Sequence, residues 1–230
     1  MHEDSVQKRV KEMLTLRDEI SPVDVKERHI NLSYNNRKTT ALVPSVSLIP
    51  VADCGNCELC ARGCYDVRHV CMYKQTKAQR ANNSALLKYD RPRYFEEIAM
   101  HAHFLRFFRW HVGGDIKDMD YLERMVKVAK EVPGCEFLVF TKMFRIVERY
   151  LKENGEFPEN FHLILSGWKG DKTTNPYRLP VSTPVWPNGE KSGMATEKEI
   201  WCGGNCADCA ACHGGCWGAQ KGDTVLFKAH

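Results

Sequence analysis

The sequence predicts an α/β protein: a partial (β/α) barrel-like parallel sheet with two cysteine-rich loops set into it. Three observations lead there. Strand-like and helix-like segments alternate from Leu105 to Trp186, their connections are short, and one cysteine pattern flanks the alternating region on both sides. Strand–helix–strand units with short connections imply right-handed crossovers and parallel pairing. The units are too few for a closed eight-stranded barrel, which makes the expected barrel partial.

The elements follow in chain order. Val6, Val10, Met13, Leu14 and Leu16 recur at near-helical spacing, so Ser5 to Ile20 reads as an amphipathic helix stopped by Ser21-Pro22. VPSVSLIPV, Val43 to Val51, carries a short strand signal. Lys77 to Phe104 is first polar and then helical, with a helix beginning near Pro92. LRFFRWHV (Leu105 to Val112) is short and aromatic, which predicts a strand ending at Gly113-Gly114-Asp115. Met119 to Val132 is a strong helix closed by Pro133-Gly134. CEFLVFT from Cys135 is a buried strand, and Phe144 to Gly155 is a helix with Gly155 as its stop. FHLILSGW from Phe161 is a second buried strand. LPVSTPVW from Leu179 is weaker and broken by prolines, and TVLFKAH is a last short strand.

Functionally the chain divides into a lead-in helix and strand (1–50), a first cysteine cluster (51–76), a β/α core (77–190) and a second cysteine cluster with the tail (191–230), within one compact domain. At 230 residues such a chain buries roughly 70–75% of its unfolded surface and needs no staples to fold. Its eleven cysteines therefore call for another reason. A net charge of +4 without a long Lys/Arg run argues against nucleic acid as the partner. No apolar stretch approaches the ~18–20 residues of a membrane helix. The charged N-terminus is not a secretory signal, so a cytoplasmic, reducing location is expected, where dense cysteine reads as metal before disulfide.

The first cysteine run is Cys54, Cys57, Cys60 and Cys64, with Cys71 seven residues on. The second is Cys206, Cys209, Cys212 and Cys216, with Cys202 four residues before. Both cores have the C-x2-C-x2-C-x3-C spacing of bacterial two-cluster ferredoxins. A two-residue gap lets one turn of backbone present neighbouring thiolates to one cubane. Gly55, Gly63, Gly203, Gly204, Gly214 and Gly215 would let the backbone approach it. One or two 4Fe-4S clusters are the expected cofactors. Zinc knuckles and disulfides are the competing readings, and His69 and His213 keep zinc open. The fourth cysteine of each run could serve the other cluster, or each run could fill its own, with Cys71 or Cys202 to spare. Cys135, opening a buried strand, reads as a core thiol.

Cys202-x3-Cys206-x2-Cys209 also has the three-cysteine spacing of radical S-adenosylmethionine enzymes. Gly113-Gly114-Asp115 is like the motif with which those enzymes hold the methionyl amine. That spacing normally follows the first strand, however, and here it sits near the C-terminus. The ends of the expected strands carry His111, Asp115, Lys142, Ser166 and Trp168. In a parallel sheet such ends converge. His111, Asp115 and Lys142 are the candidate catalytic residues; Arg109, Gly113, Gly114 and Trp168 are candidates for cofactor binding. Lys142 and Arg109 could neutralise cluster charge or bind a carboxylate. The competing reading is that His111 and Asp115 hold the loop and that Lys142 pairs with a carboxylate.

At SLIPVADCGNCELCARGCY, RFFRWHVGGDIKDMDYLERMVKVAKEVPGCEFLVFTK and FHLILSGW the chain resembles the phage "gene product 88" family, found in phages and in gut or environmental bacteria. The resemblance runs from about Val43 to Trp217 and is most specific at Cys64-Tyr65 and at the two strand ends. It implies iron–sulfur clusters on a partial barrel, without supplying a reaction. The family's first motif looks like C-x5-C-x3-C, met by Cys54, Cys60 and Cys64, so Cys57 is an addition; Cys216-Trp217 matches its C-terminal ending. The expected activity is electron transfer or small-molecule redox chemistry with an unidentified redox partner or substrate, which makes an oxidoreductase conceivable. The alternatives are an open-iron enzyme of radical S-adenosylmethionine type and a zinc-clamped structural or nucleic-acid-binding module.

Overall fold

In the computed structural model the described residues are 2–34, 42–55, 60–168, 174–191 and 198–229. Their strands are β1 (Ser45–Val46), β2 (Phe107–Trp110), β3 (Glu136–Thr141), β4 (Phe161–Ser166), β5 (Val181–Val185), β6 (Lys198–Trp201) and β7 (Asp223–Lys228). All pair in parallel in a single seven-stranded sheet of order β1-β2-β3-β4-β5-β7-β6. The expected α/β fold with a parallel sheet is the fold observed.

Strand alternation sorts the side chains onto two faces. On one face Phe108, Trp110, Phe137, Val139, Leu163, Leu165 and Val181 join the main core with α4 (Arg91–Ala102), α5 (Met119–Glu131) and α6 (Phe144–Asn154). Phe95, Trp110 and Tyr121 sit at its centre, with Phe95 4.9 Å from Tyr121 and 6.0 Å from Trp110 between ring centroids. A ring of this kind contributes about 1.5–3 kcal/mol by burial. On the other face, called inner here, Phe107, Leu138 and Ile164 meet Val43 and the C-terminal residues Ala207, Ala210 and Trp217. The second cysteine segment thus lies across the inner face of β2–β4.

The helices have local causes. Asp118 caps α5 by accepting from the Tyr121 N–H at 2.8 Å, and Arg91 holds that carboxylate with two hydrogen bonds of 2.9 Å. Gly155, at φ +80°, ends α6 as expected. α1 (His2–Leu16) presents Met13 and Leu16 to Ile49, Val67, Val70 and Ala81, buttressing α2 (Tyr65–Met72) and α3 (Lys74–Tyr89).

The sequence reading missed α2, α3 and β6, and it drew β1 too long. The inward side of α3 is mixed: Arg80, Asn83 and Ser84 are buried beside Ala81, Ala85, Leu86 and Leu87. Asn83 donates to the Ser47 carbonyl at 3.0 Å, and the Ser84 hydroxyl accepts from Ile49 at 2.9 Å. These polar residues interrupt the apolar period. β6 is an edge strand with mostly exposed side chains, so it carries no alternation. β1 keeps only two ladder residues, although Leu48 still donates to the Gly113 carbonyl at 2.9 Å. Among the described residues no helix is long and apolar enough to cross a membrane.

Candidate metal centre

The second cysteine segment is built from β6 onward. Cys202 leaves the strand with its N–H still donating to the Leu226 carbonyl at 2.7 Å. Asn205 caps the short helix α7 (Cys206–Ala211), accepting from Ala207 N–H at 3.0 Å. Ala207 and Ala210 turn to the inner sheet face. Trp217 then anchors the returning chain: its indole N–H donates to the Cys206 carbonyl at 3.3 Å, and its ring lies 5.2 Å from Phe107 and 5.7 Å from His162. Cys209 and Cys216 pack against the same inner cluster. Cys202 and Cys212 are exposed; Cys206, Cys209 and Cys216 are half-buried.

These thiols act on one another. Burial pushes the Cys216 thiol up to about 12, and Cys202, Cys206 and Cys209 add to the shift. Cys209 is raised by burial first and then by Cys202, Cys206 and Cys212. A bound cation inverts this balance, since coordination deprotonates a thiol. The backbone leaves room around the sulfurs. A Cβ on Gly215, which sits at φ +55°, would lie 2.8 Å from Cys209 Sγ, and one on Gly214 would lie 3.1 Å from Cys212 Sγ. Gly63, Gly203 and Gly204, by contrast, have open space around them. Gly204 N–H donates to Cys202 Sγ at 3.4 Å, the type of amide–sulfur contact that a cluster loop uses. The glycine cradle and the thiol-only donor set would suit an iron–sulfur cluster, which takes four of Cys202, Cys206, Cys209, Cys212 and Cys216 and leaves one to spare. Among the described residues, no three His, Cys, Asp or Glu side chains converge as a ready single-ion site.

The first segment follows β1. Cys54, Cys60 and Cys64 are half-buried, and Cys57 lies outside the described residues. Cys64 caps the start of α2. Burial pushes its thiol up to about 11, Cys54 contributes, and the N–H groups of Val67 and Asp66 oppose the rise. Cys71 is not brought to this group. It sits seven residues along α2, about 10 Å by helical rise, and its thiol donates to Glu12 Oε2 at 3.7 Å. Cys135 is a buried core thiol, its value pushed up to about 12 by burial. None of the described cysteines is in a disulfide.

Two ties hold α2 to the strand ends. Tyr65 donates its hydroxyl to the Val112 carbonyl at 2.7 Å. Asp66, 1% exposed, pairs with Arg80 through contacts of 3.2 and 3.3 Å. Gly113 makes room for that carboxylate, since a Cβ there would meet Asp66 Oδ2 and lie 2.6 Å from its Cγ. Gly114, at φ +89°, faces Leu48, whose Cβ would be 2.7 Å from an added methyl. Asp115 is buried and accepts from Thr141 Oγ1 at 2.6 Å, Ile116 N–H at 2.7 Å and Lys142 N–H at 2.9 Å. Each residue of this Gly-Gly-Asp stretch therefore has a structural task.

The other strand ends divide. Lys142 donates to Ser166 Oγ at 3.0 Å and stands 5.4 Å over the Trp168 ring. Trp168 in turn meets Trp186 at 5.8 Å. Asp115, Lys142, Ser166 and Trp168 thus form one contiguous group. His111 does not join it. At φ +53° it turns to the helix side, where Nε2 is 2.8 Å from Tyr121 OH, itself 3.1 Å from Tyr94 OH. Burial, assisted by the Arg109 charge, holds its imidazole down at about 3, so it is neutral at physiological pH.

Arg109 stands on the inner face, in register with Ser45 on one side and Leu138 on the other. Its Nη1 donates to Cys206 Sγ at 3.4 Å. A pair that the sequence reading missed lies nearby: His162 Nε2 is 2.7 Å from Glu136 Oε2. Their signal was present as polar residues at inward positions of strands that read as buried.

A family model described as Gene product 88 matches residues 25–191. The chain belongs to the Gene product 88 family. The match takes in Cys54, Cys57, Cys60, Cys64 and Cys71, the strand ends and the sheet through β5, and stops before β6 and the second cysteine segment. No curated protein and no solved structure matches the chain.

Proposed function

We propose that this protein is a cytoplasmic iron–sulfur protein that binds one or two 4Fe-4S clusters and works in electron transfer or small-molecule redox chemistry. The observation that carries the reading is the C-terminal thiol group. Cys202, Cys206, Cys209, Cys212 and Cys216 act electrostatically on one another, and Gly214 and Gly215 press against two of the sulfurs. Cys54, Cys60 and Cys64 would serve a second site of the same kind. When bound, the cluster supplies one-electron chemistry, and its potential follows charge, hydrogen bonding and exposure.

This chain's own residues do the rest. The thiols fix the group, and Trp217, Ala207 and Ala210 hold their helix against the sheet. Exposed Cys202 and Cys212 leave that edge open to a redox partner or substrate. The test is a Cys209→Ala variant purified without oxygen, assayed for iron, sulfide and zinc per chain. Metal binding is coupled to folding, so iron content and melting temperature are expected to fall together. Iron content and melting equal to wild type would refute the ligand assignment. Zinc in place of iron would favour a structural role.

A further inference from the structure

Arg109 is a cation in need of an anion. Its guanidinium is half-buried and lies 5.0 Å from the Phe140 ring centroid. Its Nε is closed to solvent and has no hydrogen-bond partner among the described residues. Its Nη1 hydrogen bond goes to a sulfur, at 3.4 Å on Cys206, a weak acceptor while it remains a thiol. Burial opposes its charge, and thiolates at Cys206 and Cys216 would favour it. A desolvated charge with an idle donor persists where its partner is anionic. A metal–thiolate group at Cys206 and Cys216 would be that partner.

We infer that Arg109 is the internal counter-charge of the C-terminal thiolate site. The inference rests on the metal reading proposed above. It makes Arg109 a positioning residue: it touches a ligand sulfur and acts on the bound group through its charge. Reduction adds one negative charge to the site, so a neighbouring cation favours the reduced state. Removing that cation lowers the midpoint potential.

The test compares wild type, Arg109→Met and Arg109→Lys, each loaded with iron and sulfide under anaerobic conditions and titrated with dithionite. In Arg109→Met the reduced-to-oxidised ratio at a fixed potential is expected to fall about tenfold, or about 59 mV for one electron. Arg109→Lys keeps the charge and is expected to recover most of that shift. The metal-free chains give an independent reading. There Arg109→Met removes an unsatisfied charge and leaves an apolar side chain, so it is expected to melt no lower than wild type. Equal potentials in wild type and Arg109→Met at equal iron content would overturn the inference and leave the cluster standing. A large fall in melting temperature of metal-free Arg109→Met would overturn it too, by making Arg109 a structural residue. A wild-type chain that takes up no iron would overturn the cluster reading before any variant is compared. Zinc competition would then decide on Arg109, with a tenfold weaker affinity in Arg109→Met supporting the counter-charge role and equal affinity refuting it.

Discussion

Replacing Gly113 by alanine puts a methyl group where Asp66 now sits. The added Cβ would overlap Asp66 Oδ2, lie 2.6 Å from Asp66 Cγ and lie 3.2 Å from the Leu48 carbonyl oxygen. The backbone at Leu48 cannot retreat, because its N–H is bonded to the Gly113 carbonyl at 2.9 Å. Asp66 must move, and Arg80, 5% exposed, then loses its paired carboxylate. Stranding one partner of a buried ion pair costs about 3–5 kcal/mol. For a chain of this size each kcal/mol lowers the melting temperature by about 2–4 °C, so a fall of about 6–20 °C is expected. Gly134→Ala is the control, since nothing lies within 4 Å of its added Cβ; its change should stay within about 0.5 kcal/mol. In an Asp66→Ala background the obstruction is gone, and Gly113→Ala should cost much less than alone. Thermal unfolding of the wild type and these four variants decides. A Gly113→Ala chain melting within about 2 °C of wild type would refute the steric argument and return the Gly-Gly-Asp stretch to cofactor binding.

Two further predictions use the same structure. His111 titrates at about 3 when folded, below its ordinary 6.5, so the unfolded chain takes a proton that the folded chain refuses. Stability is therefore lost as pH falls through 6.5 toward 3, by about 2 kcal/mol at pH 5 from this group alone. Urea unfolding of His111→Gln should show a shallower loss between pH 7 and pH 5 than wild type, and an unchanged slope would sink the assignment. Gly215→Ala combines a left-handed backbone with a methyl 2.8 Å from Cys209 Sγ. It should cost about 1–2 kcal/mol in the metal-free chain and displace that sulfur, so iron per chain should fall more steeply than stability. Wild-type iron content in this variant would argue that Cys209 is no ligand.

The strands β2, β3 and β4 were legible as short apolar runs buried on both faces, and the helices α5 and α6 because each buries one apolar side at helical period. α3 was not, because Asn83 and Ser84 occupy its core side and serve the backbone of Ser47 and Ile49. Tertiary hydrogen bonds place such a helix together with its buried Ala81, Ala85, Leu86 and Leu87. The two cysteine runs stood out by their shared spacing. Which cysteines gather depends on the fold: Cys71 looked like a spare ligand and points instead to Glu12. His111 looked like a strand-end acid or base, yet its positive φ turns it to the opposite face, beside Tyr121. The Asp66–Arg80 and Glu136–His162 pairs join residues from different elements. Only the register of the sheet and the angle of α2 bring them together.

The most direct test of the cluster proposal is electron paramagnetic resonance on anaerobically purified, dithionite-reduced protein, recorded with and without S-adenosylmethionine. The account predicts the signal of a reduced 4Fe-4S cluster, unchanged in shape by the addition, because Asp115 already spends its carboxylate on Thr141, Ile116 and Lys142. A signal reshaped by S-adenosylmethionine would contradict the electron-transfer reading and reveal an open iron. No signal, with zinc found on metal analysis, would contradict the cluster itself.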